Sequence, residues 1–166
     1  MTAFLVFSAI QGFFILFDEF FFHRKRGLPR WERIGHPIDT ATVIACLLFL
    51  YFTVPTPTTT VIYYVLVVIS SLCVTKDEYV HWKYCGPGEL WLHSVLFLLH
   101  PIVLFTAMWD WPAAKENLLM VAGFVGAFFA YQVVYWNFVE GIVRKTKQEA
   151  RYRHISKEDL YEYFGE

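Results

Sequence analysis

Charge is scarce in this chain. Lys, Arg, Asp and Glu make up 17% of its 166 residues, against 57% hydrophobic and 20% aromatic, and the mean hydropathy is +0.41. A soluble domain of this length has too little interior to hide so much apolar surface, so the solvent for most of the chain is lipid. Cysteine is scarce too. Cys46, Cys73 and Cys85 are odd in number and form no C-x-x-C, which excludes a disulfide framework and a thiolate zinc site and leaves them as small buried hydrophobes. A net charge of −1 offers nothing to a nucleic acid. The N-terminus lacks a basic n-region and a small-residue cleavage site, so it reads as a retained first span.

Apolar runs predict five membrane-spanning helices, at about residues 2–22, 35–54, 61–81, 89–108 and 117–139. Several apolar cores fall short of the roughly 20 residues a span needs, so their polar ends must sit at the interface or point into the bundle. Pro37 suits a first helical turn and sets the start of span two. Pro55-Thr56-Pro57 and Cys85-Gly86-Pro87-Gly88 are turns, and Trp109-Asp110-Trp111-Pro112 reads as an interfacial aromatic belt. The expected fold class is all-α: a polytopic bundle over residues 1–143, then a polar tail over 144–166 in which Ser156 to Asp159 cap a short surface helix at 160–164.

Orientation follows from Lys and Arg. With five spans, Arg24, Lys25, Arg26, Arg30, Arg33, Lys76, Lys83 and the basic residues of the tail (Arg144, Lys145, Lys147, Arg151, Arg153, Lys157) all fall on one side, and Lys115 alone on the other. The positive-inside rule makes the basic side cytoplasmic and the N-terminus external. Arg24, Arg26, Arg30 and Arg33 are first topology signals and second a site for an anionic lipid headgroup.

Two hairpins resemble each other. Span one ends Asp18-Glu19-Phe-Phe-Phe-His23 and span three ends Asp77-Glu78-Tyr-Val-His81. The spans that follow open with His36-Pro-Ile-Asp39 and Glu89-Leu-Trp-Leu-His93. Residues three or four apart share a helix face, so each helix end presents an acid and an imidazole: Glu19 with His23, His36 with Asp39, Asp77 or Glu78 with His81, and Glu89 with His93. His100 lies deeper on the His93 stripe. Structural roles compete with metal binding. Asp39 and Glu89 open helices, where an acid favours the macrodipole unaided. Asp18, Glu19, Asp77 and Glu78 fall at helix C-termini, where the dipole disfavours them, and so call for cations. Salt bridges to Lys76 and the Arg24–Arg26 cluster are one source; metal ions also employ the histidines.

The expected ligands are therefore Glu19, His23, His36, Asp39, Asp77 or Glu78, His81, Glu89 and His93, around two metal ions. Iron is the first choice, with zinc or manganese as alternatives. Of the remaining polar residues, Gln132 is expected to hydrogen-bond across the bundle and Asn137 and Glu140 to lie near the site. Gly123 and Gly126 are expected to allow close helix packing.

In motif type the chain resembles the membrane-bound non-haem di-iron enzymes, that is, the fatty acid desaturases and hydroxylases and the Glu-x-x-His oxidases. Glu78-Tyr-Val-His81 carries the Glu-x-x-His spacing. The resemblance implies an oxidoreductase acting on a membrane lipid or isoprenoid with an electron donor. The alternatives are a zinc-dependent lipid ester or amide hydrolase, in which Glu78 or Glu89 acts as general base, and a non-enzymatic metal-binding subunit of a membrane complex.

Overall fold

A computed structural model describes residues 1–140; the tail and its expected helix at 160–164 lie outside the described residues. The described chain is all-α, with five helices long and apolar enough to cross a membrane: α1 (Ala3–Arg26), α2 (Arg30–Phe52), α3 (Pro57–Cys73, extended by the short α4, Glu78–Tyr84), α5 (Pro87–Asp110) and α6 (Lys115–Val139). The protein is an integral membrane protein.

The boundaries are set by ordinary local chemistry. Thr2 caps α1, its Oγ1 accepting from the Leu5 N–H. A capping box joins Thr56 and Thr59 at the start of α3. Gly27, at φ 83°, turns the chain out of α1 in a backbone region that disfavours other residues. Pro87 opens α5 from N1. Lys115 Nζ donates to the Tyr51 and Thr53 carbonyls at 2.9 and 2.6 Å, so the one Lys or Arg of the far side among the described residues caps the C-terminus of α2.

Three expectations about boundaries are corrected. Span two does not begin near Pro37; its helix begins at Arg30, after Pro29, and Pro37 lies two turns inside it. Asp39 and His36 are therefore interior residues, and helix-start electrostatics does not account for Asp39. Span three does not run unbroken to His81. The α-helix stops at Cys73, turns carry residues 74–77, and α4 restarts at Glu78 with Asp77 as its N-cap, so these two acids sit at a favourable helix end. Asp18 and Glu19 are not at a C-terminus either. They lie in a π-helical turn, Asp18–His23, after which the helix continues to Arg26.

The hairpins interlock instead of standing side by side. α1 packs along α5, while α2 packs along both α3 and α6. The far half of the bundle is an apolar core that includes Phe4, Leu47, Leu50, Tyr63, Leu104 and Trp111. Its two large polar side chains are satisfied: Tyr63 Oη donates to the Leu104 carbonyl at 2.7 Å, and Trp111 Nε1 to that of Thr53 at 3.2 Å. Asp110, read as an interfacial residue, is buried and accepts from Thr2 Oγ1 and Asn117 Nδ2, both at 2.8 Å. It ties the N-terminus to the α5–α6 turn.

Candidate metal centre

The near half of the bundle holds acids and imidazoles in place of an apolar core. Asp18, Glu19, His23, Glu32, Asp77, His81, Glu89 and His93 are all buried. Local geometry explains how α1 supplies three of them. In an α-helix, residues five apart diverge in direction. The π-turn, in which the Arg24 N–H donates to the Glu19 carbonyl five residues back, brings Asp18 and His23 together. His23 Nε2 lies 3.0 Å from Asp18 Oδ2, and its Nδ1 lies 3.4 Å from Glu19 Oε2.

Potential ligand atoms gather in three overlapping groups. Asp18, His23, Glu89 and His93 form the first, Glu32, His36 and His81 the second, and His36, Asp39 and Asp77 the third; within each group, one donor atom per residue lies within 4.8 Å of the others. His93 connects the first two, with its Nε2 3.0 Å from Asp18 Oδ2 and its Nδ1 2.9 Å from His81 Nδ1. His81 Nε2 lies 3.3 Å from Glu32 Oε1. The His23 and His36 rings stack with centroids 5.0 Å apart. Two ligands held about 2.0–2.1 Å from one ion lie roughly 3 Å from each other, which is the spacing seen here.

Many of these atoms face one another without forming a hydrogen bond. Asp18 Oδ1, His23 Nε2, both oxygens of Glu32, His36 Nε2, Asp39 Oδ1, Asp77 Oδ1 and His81 Nε2 are buried with no hydrogen-bond partner of acceptable geometry. Buried polar atoms are ordinarily hydrogen-bonded, so eight unbonded ones in a single cluster call for a ligand of their own. Two side-chain cations already lie in the cluster. Arg26 bridges Glu89, at 2.8 Å, and Glu32, at 3.0 Å. Lys76 pairs with Asp39 and, at 3.0 Å, with Asp77.

Glu19, an expected ligand, has its oxygens engaged by donors. Oε1 accepts from Trp136 Nε1 at 2.7 Å and from Tyr131 Oη at 2.9 Å, and it stands outside all three groups. A second π-turn, Tyr135–Val139, lies opposite the first, with buried Trp136 at its start. Glu78 is also outside the groups; its carboxylate is half exposed and reaches only His81, at 3.4 Å. The Glu-x-x-His spacing is real, but α4 begins at Glu78 and turns it outward. Two residues missing from the expected set take part. Glu32 was hidden in a segment read as a basic loop, and Asp18 stands five residues from its histidine, a spacing no α-helical face rule would pair. The remaining expected ligands, His23, His36, Asp39, Asp77, His81, Glu89 and His93, are gathered together.

Among the arginines read as a headgroup site, Arg26 points into the cluster. Arg24 lies over the Phe20 and Tyr135 rings at 4.8 and 4.9 Å, Arg33 Nε donates to the Leu28 carbonyl at 2.8 Å, and Arg30 is exposed. Gln132 accepts from Thr40 Oγ1 at 2.7 Å, across the bundle as expected. Asn137 is exposed and Glu140 is buried. His100 Nε2 is 2.9 Å from Ser70 Oγ, which is 2.7 Å from Thr42 Oγ1. Burial pushes the Cys85 thiol above its ordinary pKa, and no cysteine enters the ligand groups of the described residues.

Glycine at one position makes room for the cluster. A Cβ on Gly35 would meet Lys76 Cε at 2.9 Å and Asp77 Oδ1 at 3.1 Å, whereas Gly12, Gly123 and Gly126 face open space. The last two are therefore not close-packing positions within the chain. Helix propensity favours alanine over glycine by about 1 kcal/mol, and overpacking costs about 1–3 kcal/mol. Gly35→Ala is expected to lose roughly 1 kcal/mol net and Gly123→Ala to lose none, a contrast that thermal unfolding in detergent reads directly.

A cavity of about 830 Å³ opens above the cluster. Asp18, Glu19, His23, His36, Asp77 and His93 form its polar end, and Leu5, Leu16, Val43, Leu96, Val103 and Phe124 are among its apolar walls. A concave, largely apolar site with a few converging polar groups is the usual form of a small-molecule site. Comparison of the chain with family models, with curated proteins and with solved structures finds no match.

Proposed function

We propose that the protein is a membrane-embedded metalloenzyme that holds two metal ions, iron by first preference, and oxidises a membrane lipid. The observation that carries this reading is the set of eight buried donor atoms that converge without hydrogen bonds. Charge supports it. Asp18, Glu19, Glu32, Asp39, Asp77 and Glu89 are six carboxylates, and Arg26 and Lys76 supply two permanent cations, leaving four negative charges that two divalent ions balance. Uncompensated buried carboxylates cost several kcal/mol each. Mixed carboxylate and imidazole donors suit iron or manganese, and four helices contributing them is the arrangement of di-iron carboxylate bundles.

In this reading the first two ligand groups hold the ions. Arg26 shares Glu32 and Glu89 with the ions and neutralises part of their charge, and Lys76 neutralises that of Asp39 and Asp77. Tyr131 and Trp136 fix Glu19, which in turn orients His23, a typical outer-shell role. Bound iron supplies dioxygen chemistry. Hydroxylation of one C–H bond consumes one O₂, two electrons from an external donor and two protons, and releases one water. The apolar cavity supplies the lipid. The positive-inside rule puts the cluster at the cytoplasmic face.

Metal analysis of protein purified without chelators tests the proposal. About two irons per chain are expected, with a visible absorption band that bleaches on reduction. Zinc in their place would replace the oxidase with a hydrolase working through metal-bound hydroxide. No metal at all would overturn both, and leave the acids held by Arg26, Lys76 and protonated histidines.

A further inference from the structure

The geometry points to a single-chain lipid that lies lengthwise in the cavity, its polar terminus against the acid/imidazole cluster and its methyl end at the far side of the membrane. The inference rests on the cavity being a lipid site, as in the reading above, and it names the part of the lipid that reacts.

Three observations carry it. First, the cluster is the floor of the cavity and not a patch on its wall. Along α1 the lining runs from His23 back to Met1, along α2 from His36 to Leu47, along α5 from His93 to Val103, and along α6 from Gln132 back to Met120. Each of these four helices leads away from the cluster in one direction only, and the third span contributes only Val74, Asp77 and His81, at the cluster end. Beneath the floor lie Leu28 and Glu32, both fully buried, with Arg26 bridging Glu32 and Glu89. None of these four lines the cavity. A chain threaded past the cluster, as mid-chain chemistry would need, has nowhere to continue.

Second, polarity is graded. The floor carries acids and imidazoles, with Thr40, Gln132 and His100 just above it. The opposite end, formed by Leu5, Leu47, Val103, Met120 and Val121, carries no charged side chain; Ser8 and Gln11 are the uncharged polar side chains on its α1 wall. A methyl terminus pressed against the floor would strip buried ionisable groups of polar contacts, whereas a hydroxyl, carbonyl or carboxyl there satisfies them. Third, the dimensions fit one chain. Met1 to Asp18 spans about 25 Å at 1.5 Å per helical residue, close to the ~30 Å of a bilayer's hydrocarbon. A volume of about 830 Å³ lies within the ~300–1,000 Å³ of sites for one small ligand. The substrate class is therefore a long-chain alcohol, aldehyde, acid or simple ester, and the carbons within reach of the metals are those next to the polar group.

Access is lateral. α1 and α6 make few contacts with each other, and between them Gly12 faces open space while Leu16 and Phe124 are 47% and 73% exposed. Lipid can slip in sideways from the hydrocarbon through this gap.

Photocrosslinking with hexadecanol bearing a diazirine near either the hydroxyl or the methyl end tests the orientation, with metal content measured on the same preparation. The hydroxyl-end probe is expected to label the peptide around Val43 or that around Leu96 and Phe97, and the methyl-end probe the segments around Leu5 and Val103. The reverse assignment, or equal labelling by both probes, overturns the proposal. Gly12→Trp, which fills the gap, is expected to abolish both labels while metal content stays unchanged; Gly123→Trp, whose side chain lies outside the cavity lining, is expected to retain them. Labelling unaffected by Gly12→Trp overturns the lateral route. Labels in the expected places on protein without metal would sink the metalloenzyme reading and leave the lipid site standing. Metal without internal labelling would do the opposite.

Discussion

Alanine at both His23 and His81 is expected to strip the protein of its metal. The pair is chosen because each belongs to a different ligand group: His23 sits with Asp18, Glu89 and His93, and His81 with Glu32 and His36. Each replacement removes an imidazole whose Nε2 is buried and makes no hydrogen bond. The donors that remain, Asp18, Glu89 and His93 in one group and Glu32 and His36 in the other, are too few to saturate an ion, and each group loses one of its two imidazoles, the donors that favour a transition metal over calcium or magnesium. Loss of even an outer-shell partner typically costs 10–100-fold in metal affinity, and losing a direct ligand at each of two ions costs more. Elemental analysis of the double variant should show metal at background, each single variant should keep a fraction, and Glu78→Gln should keep it all. Full occupancy in the double variant would remove the histidines from the ligand set. Full loss in Glu78→Gln would restore the Glu-x-x-His motif that the geometry sets aside.

Arg26→Leu is the second change with a large expected effect, on stability instead of metal content. Its guanidinium donates to Glu89 Oε1 from Nε at 3.1 Å and from an Nη at 2.8 Å, and the same Nη lies 3.0 Å from Glu32 Oε2. Both acids are buried, Glu32 completely. Removing one partner of a buried ion pair leaves an uncompensated charge and typically costs about 3–5 kcal/mol; here one cation serves two acids. Lysine is not expected to rescue, because a point charge does not reproduce the planar fork. Unfolding in detergent should show the loss, and it should be larger after chelator treatment, since bound metal neutralises part of the same charge. An unchanged transition in both states would mean that Glu32 and Glu89 are satisfied without Arg26.

The same two acids show what could be read from sequence and what could not. Hydropathy and the clustering of Lys and Arg were enough for the five spans, because a bilayer imposes length and charge rules on any chain that crosses it. Spacing was enough for Glu89 with His93 and for His36 with Asp39, since the helices there are regular. Glu32 was not legible. It sits among Arg30, Trp31 and Arg33, where a helix start at Pro37 made it a loop residue, while Pro29 is the proline that precedes the helix. Asp18 was named but not paired with His23, because only the π-turn makes five residues one face. Glu78 misled in the opposite way: its spacing to His81 is right, but the break after Cys73 reorients the helix that carries it. In each case the deciding fact was a departure from regular helix, which periodicity assumes away.

The facing π-turns have a further consequence. A wide turn is an α-helix with one residue too many, so each of α1 and α6 carries its surplus residue at the same depth, where Glu19 meets Tyr131 and Trp136. Deleting one residue from the regular helix before Asp18 would leave that turn intact but rotate it and everything after it by about 100° relative to Ala3–Phe17, swinging Glu19 away from Tyr131 and Trp136. The lengths of the first and last spans are thus locked to each other residue by residue. Insertions and deletions that an ordinary membrane helix absorbs by tilting would here take the cluster apart.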